Sequence, residues 1–410
     1  MRYLPRHLED RIELAARHFK VIFLTGARQT GKSTLLAHLF PDIKMITFDP
    51  VQDLYDARRD PDLFLDHFPP PLILDEIQYA PELFPAIKRR VDRNPMTGQY
   101  FLTGSQQFGL LKDISESLAG RAVSLHLSSF TPAEQTGKGR EAPRLQAWLQ
   151  NPEQASRIFQ PAAPPQHPLS HTLWRGTLPG TFTLPDALIP DYFRSYAETY
   201  IDRDIRRMGQ IRETQEFARF VNLSGALTAC EINASQLGRD IGIAPSTARQ
   251  WLAMLSACYQ WREIPAYHGN AIKRVASKAK GYITDAGLAC WLQRLSSPAA
   301  LAASPMLGRI FETFFVHVLL SQAGALALAP LAWHWRTAGG AEIDLLFERD
   351  SLLYPVEMKC STLLHGHDTR GIQALKKTYG EKVQPGLIIY AGKDCRPLNE
   401  YATAVPWFVL

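Results

Sequence analysis

Eight residues near the amino terminus have the types and spacing of a phosphate-binding loop. The string GARQTGKS, from Gly26 to Ser33, matches GxxxxGK[ST] and lies between the apolar run KVIFLT and the helix-like STLLAHLF. Its glycines let backbone amides curl around phosphates, its lysine reaches the β- and γ-oxygens, and its serine hydroxyl ligates Mg²⁺. A chance Gly-rich turn is the alternative. The predicted nucleotide-binding residues are Gly26, Ala27, Arg28, Gln29, Thr30, Gly31, Lys32, Ser33 and Thr34.

Two adjacent carboxylates follow another apolar run. The segment PPLILDEI places Asp75 at the carboxyl end of a strand, where it can hold Mg²⁺, with Glu76 next to it as the base for an attacking water. Exposed capping carboxylates are the alternative interpretation. The pattern predicts binding of ATP and Mg²⁺ followed by hydrolysis, with Lys32 and Glu76 as catalytic residues. No motif distinguishes ATP from GTP.

The run YFLTGSQQ is expected to end a strand beside the loop strand and to face the phosphates. We predict Ser105 as the residue that senses the γ-phosphate, with Gln106 as the second choice and a simple Gly-Ser turn as the alternative. Arg28, Arg121 and Arg203 are candidates to stabilise transition-state charge, although arginine is also common on solvated surfaces.

The spacing of apolar runs along the chain predicts the helices and strands that position these residues. Five short apolar runs, mostly separated by helix-length segments, predict an α/β domain with a parallel sheet of about five strands, as in P-loop nucleoside triphosphatases. At roughly 150 residues per domain, 410 residues suggest two or three domains, and we expect three. The predicted divisions are a P-loop domain over 1–137, a Pro/Gly-rich connection or lid over 138–187, a helical region over 188–295 and a small α/β domain over 296–410.

The helical region contains a helix, a Gly-containing turn and a second helix, followed by a possible strand pair between Ile272 and Ile283. This order is typical of a winged helix-turn-helix, and a purely structural connector is the alternative. Candidate DNA contacts on the second helix are Ser246, Thr247, Arg249 and Gln250. A downstream basic stretch could be a wing on a phosphate backbone or a solvent-facing hairpin, and it contains Lys273, Arg274, Lys278 and Lys280.

The last segment predicts a helix followed by strands at AWHWRT, AEIDLLFE and YPVEMKC, and then the runs GLIIY and PWFVL. Asp344 ends an alternating run, and Glu357 and Lys359 face one side of the next strand. With Glu312 from the helix, they resemble a restriction-nuclease arrangement that could bind a second Mg²⁺. Ordinary strand-edge charges explain the same residues equally well.

The amino-acid composition limits the classes of protein to which the chain can belong. A hydrophobic content of 46% with 21% charged residues is that of a globular protein, and a net charge of +5 permits contact with nucleic acid without arguing for it. Five scattered cysteines without a CxxC pair indicate neither a disulfide framework nor a zinc site. The amino terminus has no apolar signal core, and no run approaches the roughly 18 apolar residues of a membrane span, so we expect a cytoplasmic protein without membrane contact.

Seven segments together resemble a prokaryotic AAA-type ATPase family with a C-terminal domain of unknown function: GARQTGKST, LILDEIQ, LTGSQ, LAGR, LWRGTLP, YIDRDI and YITDAGL. The match spans nearly the whole chain. The resemblance implies ATP binding, a winged-helix middle section and a restriction-endonuclease-like tail, and it supports Lys32, Asp75, Glu76 and Ser105. The Pro-rich stretch around residues 140–175 departs from the family pattern.

Three functional hypotheses follow. The first is an ATPase whose nucleotide state moves the winged-helix and nuclease-like regions. The second is a slow nucleotide-dependent switch that binds double-stranded DNA or a protein without cutting. The third makes the tail a Mg²⁺-dependent nuclease gated by ATP. A homo-oligomer is compatible with each hypothesis, and the sequence names neither the partner nor the pathway.

Overall fold

The computed structural model describes residues 3–105, 118–161, 163–202, 214–269 and 277–410. The chain divides into two compact units. The first holds residues 1–129, 137–140 and 257–259, and the second holds residues 130–136, 141–256 and 260–410. Within the described ranges, no helix has both the length and the apolar character needed to cross a membrane.

The first unit is built on a five-stranded sheet in the order β2-β3-β4-β1-β5, with every neighbouring pair parallel. This confirms the predicted α/β domain. Its helices are α1 (Glu9–His18), α2 (Lys32–Leu39), α3 (Pro61–His67) and α4 (Leu83–Arg93). Its strands are β1 (Val21–Thr25), β2 (Lys44–Thr47), β3 (Leu72–Asp75), β4 (Tyr100–Gly104) and β5 (Ala122–His126).

Strand β1 is buried along its whole length because helices cover both faces of the sheet. Side chains alternate between faces, so Val21 and Phe23 enter the core that contains residues of α3 and α4. Ile22 and Leu24 enter the opposite core, which contains residues of α1 and α2. Parallel strands then end at one edge, which brings the residues after β1, β3 and β4 together.

The middle of the chain is helical. The elements of this region are α5 (Pro132–Gln135), α6 (Arg144–Gln150), α7 (Ala155–Ile158), α8 (Leu169–Arg175), α9 (Ile189–Tyr196), α10 (Thr214–Ala226), α11 (Ala234–Ile241), α12 (Pro245–Ala257), α13 (Ala286–Leu292) and α14 (Pro298–Ala302). A three-stranded antiparallel sheet in the order β6-β8-β7 accompanies them. Its strands are β6 (Cys230–Glu231), β7 (Trp261–Ile264) and β8 (Lys280–Ile283).

Three short helices, α6, α7 and α8, lie where the sequence predicted an irregular connection. Pro143 and Pro168 immediately precede α6 and α8 instead of interrupting them. Proline is tolerated there because the first turn of a helix has no partner for its backbone N–H groups. The fully buried Trp148 of α6 packs edge-on against Tyr354, with ring centroids 5.7 Å apart. Burial of this indole anchors the segment.

The predicted helix, turn and helix correspond to α11, Gly242 and α12, with Gly242 at a φ of 84°. The Asn233 side chain caps α11 by accepting from the backbone N–H groups of Ser235 and Gln236. Of the predicted strand pair between Ile272 and Ile283, the structure gives β8, which pairs with β6 on one side and β7 on the other. Residues 270–276 lie outside the described residues. The winged-helix interpretation stays a prediction.

The C-terminal part has a six-stranded sheet in the order β13-β14-β12-β11-β10-β9. Strands β9, β10 and β11 are antiparallel, and β11, β12 and β14 are parallel. The elements are α15 (Leu307–Ala325), β9 (Leu331–Arg336), β10 (Glu342–Arg349), β11 (Leu352–Lys359), α16 (Arg370–Tyr379), β12 (Gly386–Tyr390), β13 (Arg396–Asn399) and β14 (Ala402–Pro406). The run PWFVL mostly forms a 3₁₀ turn over Trp407–Val409, because the strand lies just before it.

Asp285 joins two segments of the second unit. Its carboxylate accepts from the Thr177 N–H at 2.7 Å and hydroxyl at 2.8 Å, and it caps α13 by accepting from the Leu288 N–H at 2.9 Å. A Cβ on Gly176 would lie 2.3 Å from the Asp285 Oδ1 atom, so this close approach requires glycine. The segments LWRGTLP and YITDAGL therefore meet at a buried carboxylate.

We predict that Asp285→Ala lowers the free energy of unfolding of the second unit by about 2 to 4 kcal/mol, because three buried donors lose their acceptor. Urea unfolding followed by tryptophan fluorescence measures it, since all eight tryptophans belong to that unit. The exposed Asp240→Ala is the control and should change the value by less than about 0.5 kcal/mol. Equal effects of the two substitutions would refute the capping role.

Candidate nucleotide site

The predicted phosphate-binding loop connects β1 to α2, as the motif requires. Gly26 has a φ of 148°, and a Cβ there would lie 2.2 Å from the Leu127 carbonyl oxygen. Gly31 has a φ of 92° and immediately precedes α2. Both positions need glycine, so the loop geometry follows from the residue types at its two ends.

Lys32 is buried at the start of α2. Its Nζ atom donates to the carbonyl oxygens of Gly26 at 3.0 Å and Ala27 at 2.8 Å. Burial lowers the pKa of Lys32, and the neighbouring Glu76 and Asp75 carboxylates oppose that shift. The ammonium group therefore lies inside the curl of the loop, where phosphate oxygens are expected.

Asp75 ends β3 and is 4% exposed. Its Oδ1 atom accepts hydrogen bonds from the Ser33 hydroxyl at 2.7 Å and the Thr103 hydroxyl at 2.6 Å. Its Oδ2 atom accepts from the Thr47 hydroxyl at 3.1 Å. The serine of the loop and the carboxylate of β3 are thus in direct contact, although 42 positions separate them in sequence.

Glu76 has a left-handed backbone with a φ of 57°. Its N–H donates to the Thr103 hydroxyl at 3.0 Å, and its Oε2 atom accepts from the Ser105 hydroxyl at 3.1 Å and from the Gln78 amide. An Arg28 guanidinium nitrogen lies 3.9 Å from the Glu76 Oε1 atom. These contacts fix the orientation of the carboxylate next to the loop.

The sensor residues have separate partners. Thr103, which the sequence placed at this edge without a role of its own, donates to Asp75, whereas Ser105 donates to Glu76. Gln106 lies outside the described residues.

Of the arginine candidates, Arg28 is in the site and donates to the Tyr79 hydroxyl at 2.5 Å. Arg121 pairs with Asp92 at the surface, and Arg203 also lies outside the described residues.

Three further residues of the site were missed by sequence reasoning, namely Arg6, Thr47 and Gln78. The buried Arg6 side chain donates to the carbonyl oxygens of Thr30 at 2.8 Å and Ser128 at 2.6 Å, and so holds the loop against the residues that follow β5. The position of Thr47 at the end of β2, beside β3 in the sheet, was the available signal for its role. No spacing signal identifies Arg6, because its partners are 24 and 122 positions away.

At the second predicted site, in the C-terminal part, a lysine side chain contacts two of the predicted carboxylates. Asp344 and Glu357 are buried and Glu312 is partly buried, and the Lys280 Nζ atom donates to the Glu312 Oε1 atom at 2.9 Å and the Asp344 Oδ1 atom at 3.2 Å. Lys359 donates to Glu357 at 3.1 Å. Both expectations for Lys280, a wing contact and a solvent-facing position, are wrong because its side chain points into this cluster.

Burial and the nearby Asp344 raise the pKa of Glu312 to about 7. Burial raises the pKa of Glu357 well above its usual value. Burial by itself lowers the pKa of Lys280, but Asp344 and Glu312 outweigh it and raise that pKa above its usual value. The cluster is therefore a buried, strongly interacting set of charges.

The candidate DNA contacts on α12 differ in exposure. Ser246, Arg249 and Gln250 are exposed, and Thr247 is half-buried. Lys278 is exposed, whereas Lys273 and Arg274 lie outside the described residues. The exposed side chains leave one face of α12 accessible to a partner.

The first unit has the fold and the phosphate-binding loop of a P-loop nucleoside triphosphatase domain. A family model described as an AAA domain matches residues 18–136. Two models described as domains of unknown function, DUF8612 and DUF4143, match residues 166–299 and 307–410.

The chain belongs to the same family as two mycobacterial relatives. The proteins named Uncharacterized protein Rv2008c of Mycobacterium tuberculosis and Uncharacterized protein Mb2031c of Mycobacterium bovis are each 30% identical to it over 406 residues. The aligned region covers 98% of this chain and 83% of each relative.

Solved structures with partial similarity include a Walker-type ATPase of Pyrococcus abyssi, at 17% identity and a TM-score of 0.43 over 72% of this chain and 99% of that chain. The RuvB Holliday junction branch migration motor of Thermotoga maritima matches at 16% identity and a TM-score of 0.29, over 66% of this chain and 93% of that chain. Similarities at these scores say nothing about what this chain acts on.

We predict that Thr103→Val lowers ATP turnover at least about tenfold, because the shape is kept while the hydroxyl that joins the Glu76 N–H to the Asp75 carboxylate is lost. Steady-state phosphate release measures it. Thr97→Val, an exposed position in the same unit, is the control and should keep wild-type turnover. Unchanged turnover in Thr103→Val would show that this hydroxyl has no part in positioning the carboxylates.

Proposed function

We propose that the chain is a Mg²⁺-dependent ATP hydrolase that couples its nucleotide state to the second unit. One observation carries the proposal: the Ser33 hydroxyl and the Asp75 carboxylate are in contact at the sheet edge where Lys32 and Glu76 also lie. A serine hydroxyl and a carboxylate are the oxygen ligands that Mg²⁺ takes in P-loop enzymes. The residues present therefore fit ATP and Mg²⁺.

Each side chain has a distinct role in this proposal. The loop amides from Gly26 to Thr34 and the Lys32 ammonium would bind the phosphates, and Ser33 with Asp75 would hold the metal ion. Mg²⁺ would supply positive charge that stabilises the transferring phosphoryl group. Glu76 orients the attacking water and accepts its proton, while Ser105 and Gln78 hold the Glu76 carboxylate in place.

The second unit is proposed as the output of the nucleotide state. The order α11, turn, α12 supports a winged-helix interpretation, and the exposed Ser246, Arg249 and Gln250 would meet phosphates or base edges of double-stranded DNA. The order α15, β9 to β11, α16, β12 supports a restriction-endonuclease-like fold for the tail. A protein-binding switch without cleavage is the alternative, and the lysine inside the acidic cluster favours it over a nuclease.

The predicted effect of Glu76→Gln is a loss of ATP turnover of about 10²-fold or more with ATP binding retained, because the amide keeps the shape but accepts no proton. Phosphate release and equilibrium binding of a fluorescent ATP analogue measure the two quantities. Glu82→Gln removes the same charge from an exposed position nearby and should behave as wild type. Wild-type turnover in Glu76→Gln would exclude this residue as the base.

Removing the loop lysine should affect both ATP binding and turnover. Lys32→Ala should weaken binding of the ATP analogue and abolish turnover, because the buried cation that meets the phosphates is lost. The exposed Lys138→Ala is the matched control and should bind as wild type.

Adding double-stranded DNA to these assays tests the coupling of the nucleotide state to the second unit. Stimulated turnover supports a DNA partner, and tight ATP binding without turnover in the wild type supports the switch.

A further inference from the structure

An acidic cluster lies in the second unit, formed by the partly buried Glu312 of α15 and the buried Asp344 of β10 and Glu357 of β11. The side chains of Asp344 and Glu357 are 5% and 3% exposed, and that of Glu312 is 14% exposed. The restriction-nuclease arrangement expected from the sequence would hold a divalent metal ion at this cluster. The contacts of the three carboxylates decide whether one fits.

Both carboxylate oxygens of Asp344 and one of Glu312 accept hydrogen bonds from protein donors. The Asp344 Oδ1 atom accepts from Lys280 at 3.2 Å, and its Oδ2 atom accepts from the Met358 N–H at 2.9 Å. The Glu312 Oε1 atom accepts from Lys280 at 2.9 Å and from the Tyr282 hydroxyl at 2.7 Å. Among the described residues, no group of three or more His, Cys, Asp or Glu side chains is arranged to hold a metal ion. A divalent ion does not fit this arrangement.

Lys280 is also held from its backbone. It belongs to β8, the central strand of its sheet, and its register partners are Glu231 on one side and Ile264 on the other. The adjacent Gly281 packs so tightly that a Cβ there would lie 1.9 Å from a ring atom of Trp261. Because both strand edges are paired, the backbone of Lys280 is fixed at the position from which its side chain enters the cluster.

We infer that Lys280 is the resident cation of this cluster and takes the place that a divalent metal ion would need. Its ammonium group offsets the negative charge of Glu312 and Asp344, and it joins the three-stranded sheet to the six-stranded sheet of the second unit. A metal ion at the same two carboxylates would lie beside a fixed positive charge, which disfavours its binding. Wild-type protein therefore carries no metal-dependent phosphodiester cleavage at this cluster. This inference does not depend on the proposed ATPase function.

The test is binding of Mn²⁺ to the nucleotide-free full-length chain at neutral pH, measured from the electron paramagnetic resonance signal of free Mn²⁺. Lys280→Gln should create one Mn²⁺ site per chain that binds at least about tenfold more tightly than any site of the wild type at this cluster, because two unpaired buried carboxylates replace an ion pair. The double variant Lys280→Gln with Asp344→Asn should lose that site. Lys278→Gln removes the same charge from an exposed position two residues earlier and should match the wild type.

A folded Lys280→Gln variant that gains no Mn²⁺ site would overturn the inference. A second comparison does not need that variant to fold: wild type and Asp344→Asn should bind equal amounts of Mn²⁺. A site present in the wild type and lost in Asp344→Asn would show that the cluster holds a metal ion despite Lys280. Metal binding at the nucleotide loop contributes equally to all of these proteins and does not affect the comparison.

Discussion

Asp75 accepts hydroxyl hydrogen bonds from Ser33 of α2, Thr47 of β2 and Thr103 of β4, so one buried carboxylate ties three neighbouring elements together at the edge of the sheet. A buried carboxylate is costly unless donors surround it, and here three hydroxyl groups donate to it. The same Thr103 hydroxyl accepts the Glu76 N–H and thereby sets the position of the proposed base. The phosphate-binding loop, the proposed Mg²⁺ ligands and the proposed base are therefore linked through the Asp75 side chain.

Much of this first site was predictable from the sequence because its information is local. The loop motif, the strand before it and the helix after it lie within one short stretch, and Asp75 ends its own apolar run. The parallel sheet followed from five apolar runs. Thr47 and Arg6 were not predictable in their roles, because a hydroxyl on a neighbouring strand and a guanidinium under the loop acquire partners only through the tertiary fold.

The C-terminal cluster shows the opposite case. One group was predicted from a helix and two strands, and the structure brings its members together: Glu312, Asp344, Glu357 and Lys359. Lys280 was read as part of a basic surface stretch because its partners lie 32 and 64 positions downstream. Backbone hydrogen bonds from Tyr267 to His334 and from His334 to Pro265 also join this region to β9. The packing of the second unit therefore runs across the boundary between the two domains of unknown function.

The central claim is that Asp75 and Ser33 form the metal side of the nucleotide site, and the most direct measurement is the affinity for ATP with Mg²⁺ and with excess EDTA. The wild type should bind ATP more tightly when Mg²⁺ is present, and Asp75→Asn should erase that difference while still binding ATP in EDTA, because Lys32 and the loop remain. An undiminished Mg²⁺ effect in Asp75→Asn would contradict the account, since the metal ion would then be held without this carboxylate.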